Sequence, residues 1–381
     1  MRITGIRTVL YEYELTRPLG DVNLPGGFRH GADLAVFVDT DEGLTGTTIG
    51  SGGAAGPIAF LAELLTGRDP LAVRALWQLM VAAAFKGGKA GSIGLAVSAI
   101  DCALWDLRAK AHGVPLFREL GADSGRVPAY ASGLDSPLDD AELDVFYRRM
   151  AAQGIATGKL KVGRDREDDL RRLGIMHDAL ATSGRPPLLA VDANEFWSPK
   201  QAVQRIAELE REHELAWVEE PARRWDHAGL RQVSDHVNAP VATGENLQEV
   251  REFVPLLVNN AVDLVQVSVS TTGVTGALQI GELAAAFDRP VALMNCPGRF
   301  AAHVAAALPN HTMMEVIDAG RDAALTGQPP VQDGHIVLSD DVPGSGVEFD
   351  PERLEALRVT AASGTNLANA YRRATDAGMV G

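Results

Sequence analysis

The sequence is poor in cysteine and in positive charge, and it lacks any long apolar run. Only Cys102 and Cys296 occur, at unrelated positions, so no disulfide framework is expected and a reducing cytoplasm is the expected home. Lys and Arg number 35 against 50 Asp and Glu, a formal net charge of -15. Phosphate binding needs a basic surface, which argues against a nucleic-acid partner. An anionic substrate would have to be attracted locally, by a metal or a few lysines. No stretch of about 18 apolar residues occurs, so no membrane span is expected. Residues 1–11 alternate like a strand and show neither the apolar run nor the cleavage site of a signal peptide.

What is present is ample material for a core. The 381 residues are 46% hydrophobic and 22% charged, which fits two domains or one large barrel with an added piece. Ala35-Val36-Phe37-Val38 runs into Asp39-Thr40-Asp41-Glu42-Gly43 and Leu44-Thr45-Gly46, a hairpin signal. Residues 58–65, 71–85 and 92–112 have helical spacing, with Gly87, Gly88 and Gly91 breaking the pattern and Gly113 ending the last helix. Two glycine-rich stretches, near 22–31 with Arg29 and His30 and near 50–56, read as long loops, of the kind that are functional lids or disordered.

From about residue 126 short apolar runs alternate with amphipathic helical stretches. The runs are 158–162, 188–192, 216–219, 241–245, 264–268 and 290–295. Six or more such units predict a parallel sheet closed into a (β/α) barrel, the competing arrangement being an open doubly wound sheet. The stretch Gly273-Val274-Thr275-Gly276 does not make a dinucleotide fingerprint.

Asp192, Glu219 and Glu245 each close an apolar run, spaced 27 and 26 residues apart, about one βα unit. Three successive strands then present a carboxylate on the face where barrel enzymes work. Converging carboxylates repel unless a cation neutralises them. An all-oxygen set without His or Cys suits Mg2+, which keeps waters and takes substrate oxygens. Asn194, two residues after Asp192, would point the same way on an extended chain and orient a ligand or water. The competing reading makes each acid a helix N-cap. One strand earlier, Lys159 and Lys161 share a face at period two. On a surface they would be merely solvated. Inside a barrel their repulsion, a nearby metal and burial would lower a lysine pKa toward that of a general base.

These residues resemble the enolase superfamily, in its mandelate racemase/muconate lactonizing enzyme branch, which pairs a Lys or His base with magnesium. The resemblance rests on Asp39-Thr40-Asp41-Glu42-Gly43-Leu44-Thr45-Gly46, on Ala99-Ile100-Asp101-Cys102-Ala103-Leu104-Trp105-Asp106-Leu107 and on Lys159-Leu160-Lys161. It continues through Asp192-Ala193-Asn194, Trp217-Val218-Glu219-Glu220-Pro221, Gly244-Glu245-Asn246 and Val342-Pro343-Gly344-Ser345-Gly346-Val347. It implies an α/β fold: a modified (β/α)8 (TIM-like) barrel over 126–341, an α+β capping domain over 1–125, and a segment 342–381 returning to the cap. It also implies that the glycine-rich stretches are specificity loops, that Asp192, Glu219 and Glu245 hold the metal, that Glu220 is structural, and that Lys161, Lys159 and Glu315 are catalytic.

The departures from the family pattern bear on the reaction. Asn295 stands where racemase-like members carry a catalytic His, and Ser268 where they carry its Asp partner or a second Lys. Neither side chain is a base at neutral pH, though both can orient a hydroxyl. Arg299, Arg29 and His30 are further candidate substrate contacts. For Cys296 and His303 a structural role is expected, and for His311 a surface position. A single basic face favours dehydration of a hydroxylated carboxylic acid, such as an acid sugar or hydroxyproline, by syn β-elimination. Racemisation, epimerisation or cycloisomerisation is the alternative, and a non-catalytic metabolite-binding barrel is the reading of another class. The expected partner is a small carboxylate, with neither nucleic acid nor membrane, in a homo-oligomer.

Overall fold

The alternating N-terminal segment forms a three-stranded antiparallel sheet, β1 (Ile3–Leu19), β2 (Phe28–Thr40) and β3 (Thr45–Ser51), in that order. The acidic turn with Gly43 joins β2 to β3 as a hairpin, with Asp39 opposite Thr45. Helices α1 (Ala55–Leu65), α2 (Val73–Ala83) and α3 (Ser92–His112) accompany this sheet. The last ends where the sequence predicts, Gly113 taking a left-handed φ of 68° that a side chain would resist. Gly46 lets β3 lie on α3, because a Cβ there would collide with the carbonyl of Ala103.

The computed structural model describes residues 1–86, 88–360 and 375, so Gly87 and most of the segment beyond 360 lie outside the described residues. Residues 50–56, expected as a loop, instead finish β3, make a 3-10 turn over Gly52–Ala54 and start α1. Gly50 has no side chain to interrupt the ladder and faces the Ala99 methyl of α3, so its glycine serves close packing. Likewise residues 28–31 belong to β2, and the loop proper is shorter than the composition suggests.

The barrel strands are β4 (Arg126–Ser132), β5 (Thr157–Lys161), β6 (Leu188–Asp192), β7 (Leu215–Glu219), β8 (Val241–Thr243), β9 (Leu264–Val267), β10 (Val291–Leu293) and β11 (His311–Val316). Every neighbouring pair is parallel, and β11 pairs with β4, so the sheet closes. A short α4 (Leu116–Glu119) leads into it. The crossovers are α5 (Asp140–Ala152), α6 (Arg166–Ala181), α7 (Pro199–Leu209), α8 (His227–His236), α9 (Val250–Val258), α10 (Val269–Ala285) and α11 (Ala301–Ala307). A hairpin of β12 (Val331–Gln332) and β13 (His335–Val337) extends β4 in the antiparallel sense, and α12 (Pro351–Leu357) follows. Inward positions at mid-barrel are packed by Tyr130, Ala190, Trp217, Ala242, Leu264 and Ala292. Among the described residues no helix is long and apolar enough to cross a membrane.

The helix carrying the Asp101-to-Asp106 motif is a seam between the N-terminal sheet, the barrel and the C-terminal segment. Asp101 accepts from the Thr275 N–H at 2.8 Å and its hydroxyl at 2.6 Å, fixing α10. Trp105 Nε1 donates to the same hydroxyl at 2.9 Å. Asp106 accepts from the N–H groups of Thr47 (2.8 Å) and Ser345 (2.7 Å) and pairs with Lys110 at 2.7 Å. A bridge between Pro115 and Gly344 runs beside it.

Candidate active site

Strand parity sends both lysines of β5 inward, and pairing sets their height. Lys161 lies opposite Asp192, and Asp192 opposite Glu219, so the three form a row across β5, β6 and β7 at their C-terminal ends. Glu245 differs from the sequence expectation. The strand β8 stops at Thr243, and Glu245 sits two residues further on, past Gly244. Gly244 has a φ of 129°, and a Cβ there would press on the Gln266 backbone. A turned loop, rather than the strand, therefore delivers the third acid. None of the three acids caps a helix: those places belong to Ser198, Asp226 and Glu249.

The row is a network of buried charge. Lys159 Nζ lies 2.5 Å from Glu219 Oε1, 3.0 Å from Glu315 Oε1 and 3.4 Å from Asp192 Oδ2. Lys161 Nζ lies 2.5 Å from Asp192 Oδ2 and, among the described residues, enters no other ion pair. Trp217 Nε1 donates to Glu219 Oε2 at 3.1 Å, and the Tyr130 ring lies beneath Lys159. Burial disfavours both ammonium groups. The surrounding carboxylates, Glu219 foremost for Lys159 and Asp192 for Lys161, outweigh it and raise both pKa values. Without a metal the direction is therefore upward; the expected lowering takes a bound cation as one of its causes.

The acids carry the opposite tension. Burial together with the charges of Asp192 and Glu245 pushes Glu219 up to about 8. Glu245 is also raised, by burial first and then by Asp192 and Glu315. Asp192, although buried, is held down at about 2 by Lys161 and Lys159. Carboxylates that resist ionisation because they face one another are the electrostatic signature of a place for a cation. The donors are all oxygen, as a hard divalent ion requires. Among the described residues no three acids or histidines close on one point, because the lysines hold Asp192 and Glu219 by salt bridges. The residues fit magnesium, which would compete with those ammonium groups.

Around this centre the remaining candidates separate. Asn194 is not extended: its φ is 41°, its N–H returns to Asp192 Oδ1 at 2.8 Å, and its Nδ2 reaches Glu220 at 3.4 Å. The chain turns directly after β6, which corrects the same-face expectation and leaves Asn194 supporting the turn that follows Asp192. Glu220 is buried behind the row and accepts from Asn246 at 2.8 Å. Ser268 is half-buried at the end of β9. Glu315 accepts from both the backbone and the side chain of Asn295, and Lys159 and Lys161 hold its buried carboxylate at about 2. Arg299 donates to the Pro329 carbonyl and lines a cavity of about 30 Å³ with Asn295 and Glu315. Cys296 accepts from the Ala301 N–H, and His303 is buried between backbone groups, so both are structural.

Arg29 and His30 are exposed at the start of β2. The loop before β2 reaches the barrel through other residues. Asn23 Nδ2 donates to the Asn194 carbonyl at 2.9 Å, and the Val22 carbonyl accepts from Arg164 at 2.7 Å.

Several participants carried no signal of their own. Asp135, in the loop after β4, accepts from the Lys161 N–H at 3.1 Å and from the Tyr147 hydroxyl at 2.8 Å, fixing the backbone that carries the lysine. Arg321 donates to Asn295 Oδ1 at 2.7 Å. Tyr130 and Trp217 were legible only through inward parity once β4 and β7 were placed.

The comparisons with known proteins agree with this geometry. The profile of a family described as mandelate racemase / muconate lactonizing enzyme, N-terminal domain, matches residues 26–121. A second, described as enolase C-terminal domain-like, matches residues 142–353. A 3,6-anhydro-alpha-L-galactonate cycloisomerase from Streptomyces coelicolor is 32% identical over 367 residues, covering 94% of this chain and 99% of that protein. A racemase from the same species, solved with bound magnesium, superposes with a TM-score of 0.84 at 29% identity, covering 94% of this chain and 100% of the other. An L-talarate/galactarate dehydratase from Salmonella typhimurium, solved with Mg and L-lyxarohydroxamate, gives 0.85 at 27% identity over 94% and 93% of the two chains.

Proposed function

The chain belongs to the mandelate racemase/muconate lactonizing enzyme family, whose members carry out magnesium-dependent enolisation, and from that premise we propose that it dehydrates a hydroxylated carboxylic acid by one-base syn elimination. The observation that carries this reading is the asymmetry of the site. One face has Lys161, buried and, among the described residues, paired to Asp192 alone. The other has Asn295, whose amide is spent between Arg321 and Glu315, and Ser268.

Asp192, Glu219 and Glu245 would hold the metal. Bound magnesium would neutralise these acids and stabilise the second negative charge on the enolised substrate carboxylate. Lys159, fixed by three carboxylates, stays a cation facing the substrate carboxylate. Asp192, drawn to the cation it holds, would no longer keep Lys161 protonated; Lys161 Nζ, as the neutral amine, takes the α-proton, and the C–H electron pair enters the enediolate. That pair then forms the C=C bond as the β C–O bond breaks, and Lys161 returns its proton to the departing oxygen, which leaves as water. The enol product tautomerises to a 2-keto acid. Glu315, kept ionised, holds Lys159 rather than acting as the acid.

The same reading takes residues 1–125 as the cap, 126–341 as the catalytic barrel and 342–381 as the returning segment. The Pro115–Gly344 bridge supports the return. It takes the enzyme as a cytoplasmic homo-oligomer. The free cysteines support the compartment, and the 79% exposed Phe85 and 50% exposed Phe60 support association. The relatives named above include a cycloisomerase and a racemase, and either isomerisation would begin with the same proton abstraction.

The test is a screen of the purified protein against acid sugars and hydroxyprolines in D2O, with magnesium and with EDTA. Formation of a 2-keto acid or a cyclic imine with loss of water is expected, abolished by EDTA. Lys161→Met should slow both turnover and α-deuterium exchange about 100- to 10,000-fold in folded protein. Exchange without net loss of water would select isomerisation. Full-rate exchange in Lys161→Met would remove Lys161 as the base.

A further inference from the structure

Arg321 stands where the cap and the barrel meet, and none of the family-like motifs includes it. The loop after β11 is seated on β1: the Thr16 N–H donates to the Ala319 carbonyl at 3.1 Å, and Arg17 donates to the Ile317 carbonyl at 2.8 Å. Ile317 and Ala319 share a buried cluster with Tyr11, Tyr13, Leu15 and Ala35 of the N-terminal sheet. The loop therefore brings a guanidinium to a fixed place between the two parts of the molecule. On the cap side, Arg321 faces the Tyr13 hydroxyl and Asp33, whose carboxylate accepts from that hydroxyl at 2.6 Å. On the barrel side it donates to Asn295 Oδ1 at 2.7 Å.

We propose that Arg321 is a positioning residue of the active site, fixing which end of the Asn295 amide faces Glu315. The argument is one of donors and acceptors. A primary amide fits its slot in two orientations of nearly the same shape, and only its neighbours distinguish them. A guanidinium has donors only, and an ionised carboxylate has acceptors only. Arg321 on one side and Glu315 on the other leave a single arrangement, with Oδ1 toward the arginine and Nδ2 toward the glutamate. Asn295 then grips Glu315 through both its backbone N–H, at 3.2 Å, and its Nδ2. Glu315 Oε1 in turn lies 3.0 Å from Lys159 Nζ. The chain Asp33–Tyr13–Arg321–Asn295–Glu315–Lys159 thus runs from the second strand of the cap to the floor of the site. Docking of the cap and placement of Lys159 become one event.

This inference rests on the function proposed above for its kinetic readout, but not for its structural one. Arg321→Met should lower kcat for α-proton exchange about 10- to 100-fold, the loss seen when a supporting partner of an active-site residue is removed, with a smaller effect on KM. Arg321→Lys, also a pure donor, should recover part of it. Asn295→Ala should cost about as much, and the double variant no more than either single one. In a crystal structure of Arg321→Met the Asn295 side chain, no longer held at Oδ1, should take a second rotamer that breaks its Nδ2 contact to Glu315. The proposal is overturned if the Asn295–Glu315 contact persists in that structure, or if Arg321→Met lowers Tm as Asp33→Asn does while kcat stays at the wild-type value. Should the wild-type protein exchange no α-proton with any acid, the dehydratase reading fails, and the crystal structures still decide the role of Arg321.

Discussion

The α3 seam and the mouth of the barrel both bury carboxylates, and they satisfy them by opposite means. At the seam, Asp106 receives two backbone N–H groups and the Ser345 hydroxyl beside a lysine, and Asp101 receives an N–H and a hydroxyl from Thr275. Each acid there meets donors that cost nothing to keep neutral. At the mouth, Asp192, Glu219 and Glu245 meet two lysines and one another. The contrast shows in how the pKa values are raised. Burial alone carries Asp101 up to about 6, against its hydrogen bonds and Lys89. Glu219 reaches about 8 because like charges add to burial. At the seam the carboxylates are met mainly by backbone and hydroxyl donors, with Lys110 beside Asp106, whereas at the mouth the acids face one another and two lysines. The family-like motifs mix the two kinds, and only the surroundings sort them.

If the seam is purely structural, its loss should appear in stability and not in the chemistry per folded molecule. Asp106→Ala strands the Thr47 and Ser345 donors and unpairs Lys110. A cost of about 3–5 kcal/mol is expected, as for other broken buried pairs, read by urea unfolding. The exchange rate per folded enzyme should be preserved. A destabilisation under 1 kcal/mol (roughly the worth of an exposed pair) would place Asp106 outside the load it is assigned here.

The seam also supplies a pH test. His303 accepts from the Phe117 N–H at Nδ1 and donates to the Ser345 carbonyl from Nε2, so its neutral form is doubly bonded and buried. Burial lowers its pKa from 6.5 to about 4. The sign follows: the unfolded chain takes up a proton near 6.5 and the folded one only near 4, so this stability is complete above pH 6.5 and is lost as the pH falls toward 4. At pH 5 the loss is roughly 2 kcal/mol. His303→Gln should flatten this part of the stability profile between pH 7 and 5, and an unchanged slope would show that other groups set it.

The sequence disclosed both regions unequally, for physical reasons. Period-two alternation and the repeated βα spacing located β6 (Leu188–Asp192) to the residue, and Gly113 marked the end of α3. Strand interiors are fixed by which face is buried, and helix ends by glycine's freedom at positive φ. The carboxylates at the strand ends were legible because they repeat with the fold. Three features were not. Gly50 looked like loop material because composition cannot tell a glycine that packs under a helix from one that turns. Asn194 was misread as extended because nothing in Asp192-Ala193-Asn194 announces a φ of 41°. Arg321 lies in a loop whose course depends on contacts with β1, some 300 residues away in sequence, and no local pattern encodes that.

The smallest expected effect isolates the tension at the mouth. Glu245 is half-buried, delivered by a loop rather than a strand, and held to Asn246 at 3.2 Å. Its neighbours include Asp192 and Glu315, whose charges work against its ionisation. Glu245→Gln removes one charge from that crowd while keeping the shape and a hydrogen-bonding group. In metal-free protein this should raise stability by about 1 kcal/mol, as substitutions that relax a functional site commonly do. With magnesium the order should invert, because the wild type gains binding free energy on folding that the variant has largely lost. Thermal unfolding of both proteins, in EDTA and across a magnesium titration, reads the crossing directly. The Asp106 variant should shift with metal just as the wild type does. If Glu245→Gln destabilised the metal-free protein and left the magnesium-dependent shift intact, the third acid would be part of the scaffold, and the distinction between the two kinds of buried carboxylate would fail at the residue where it is most exposed to test.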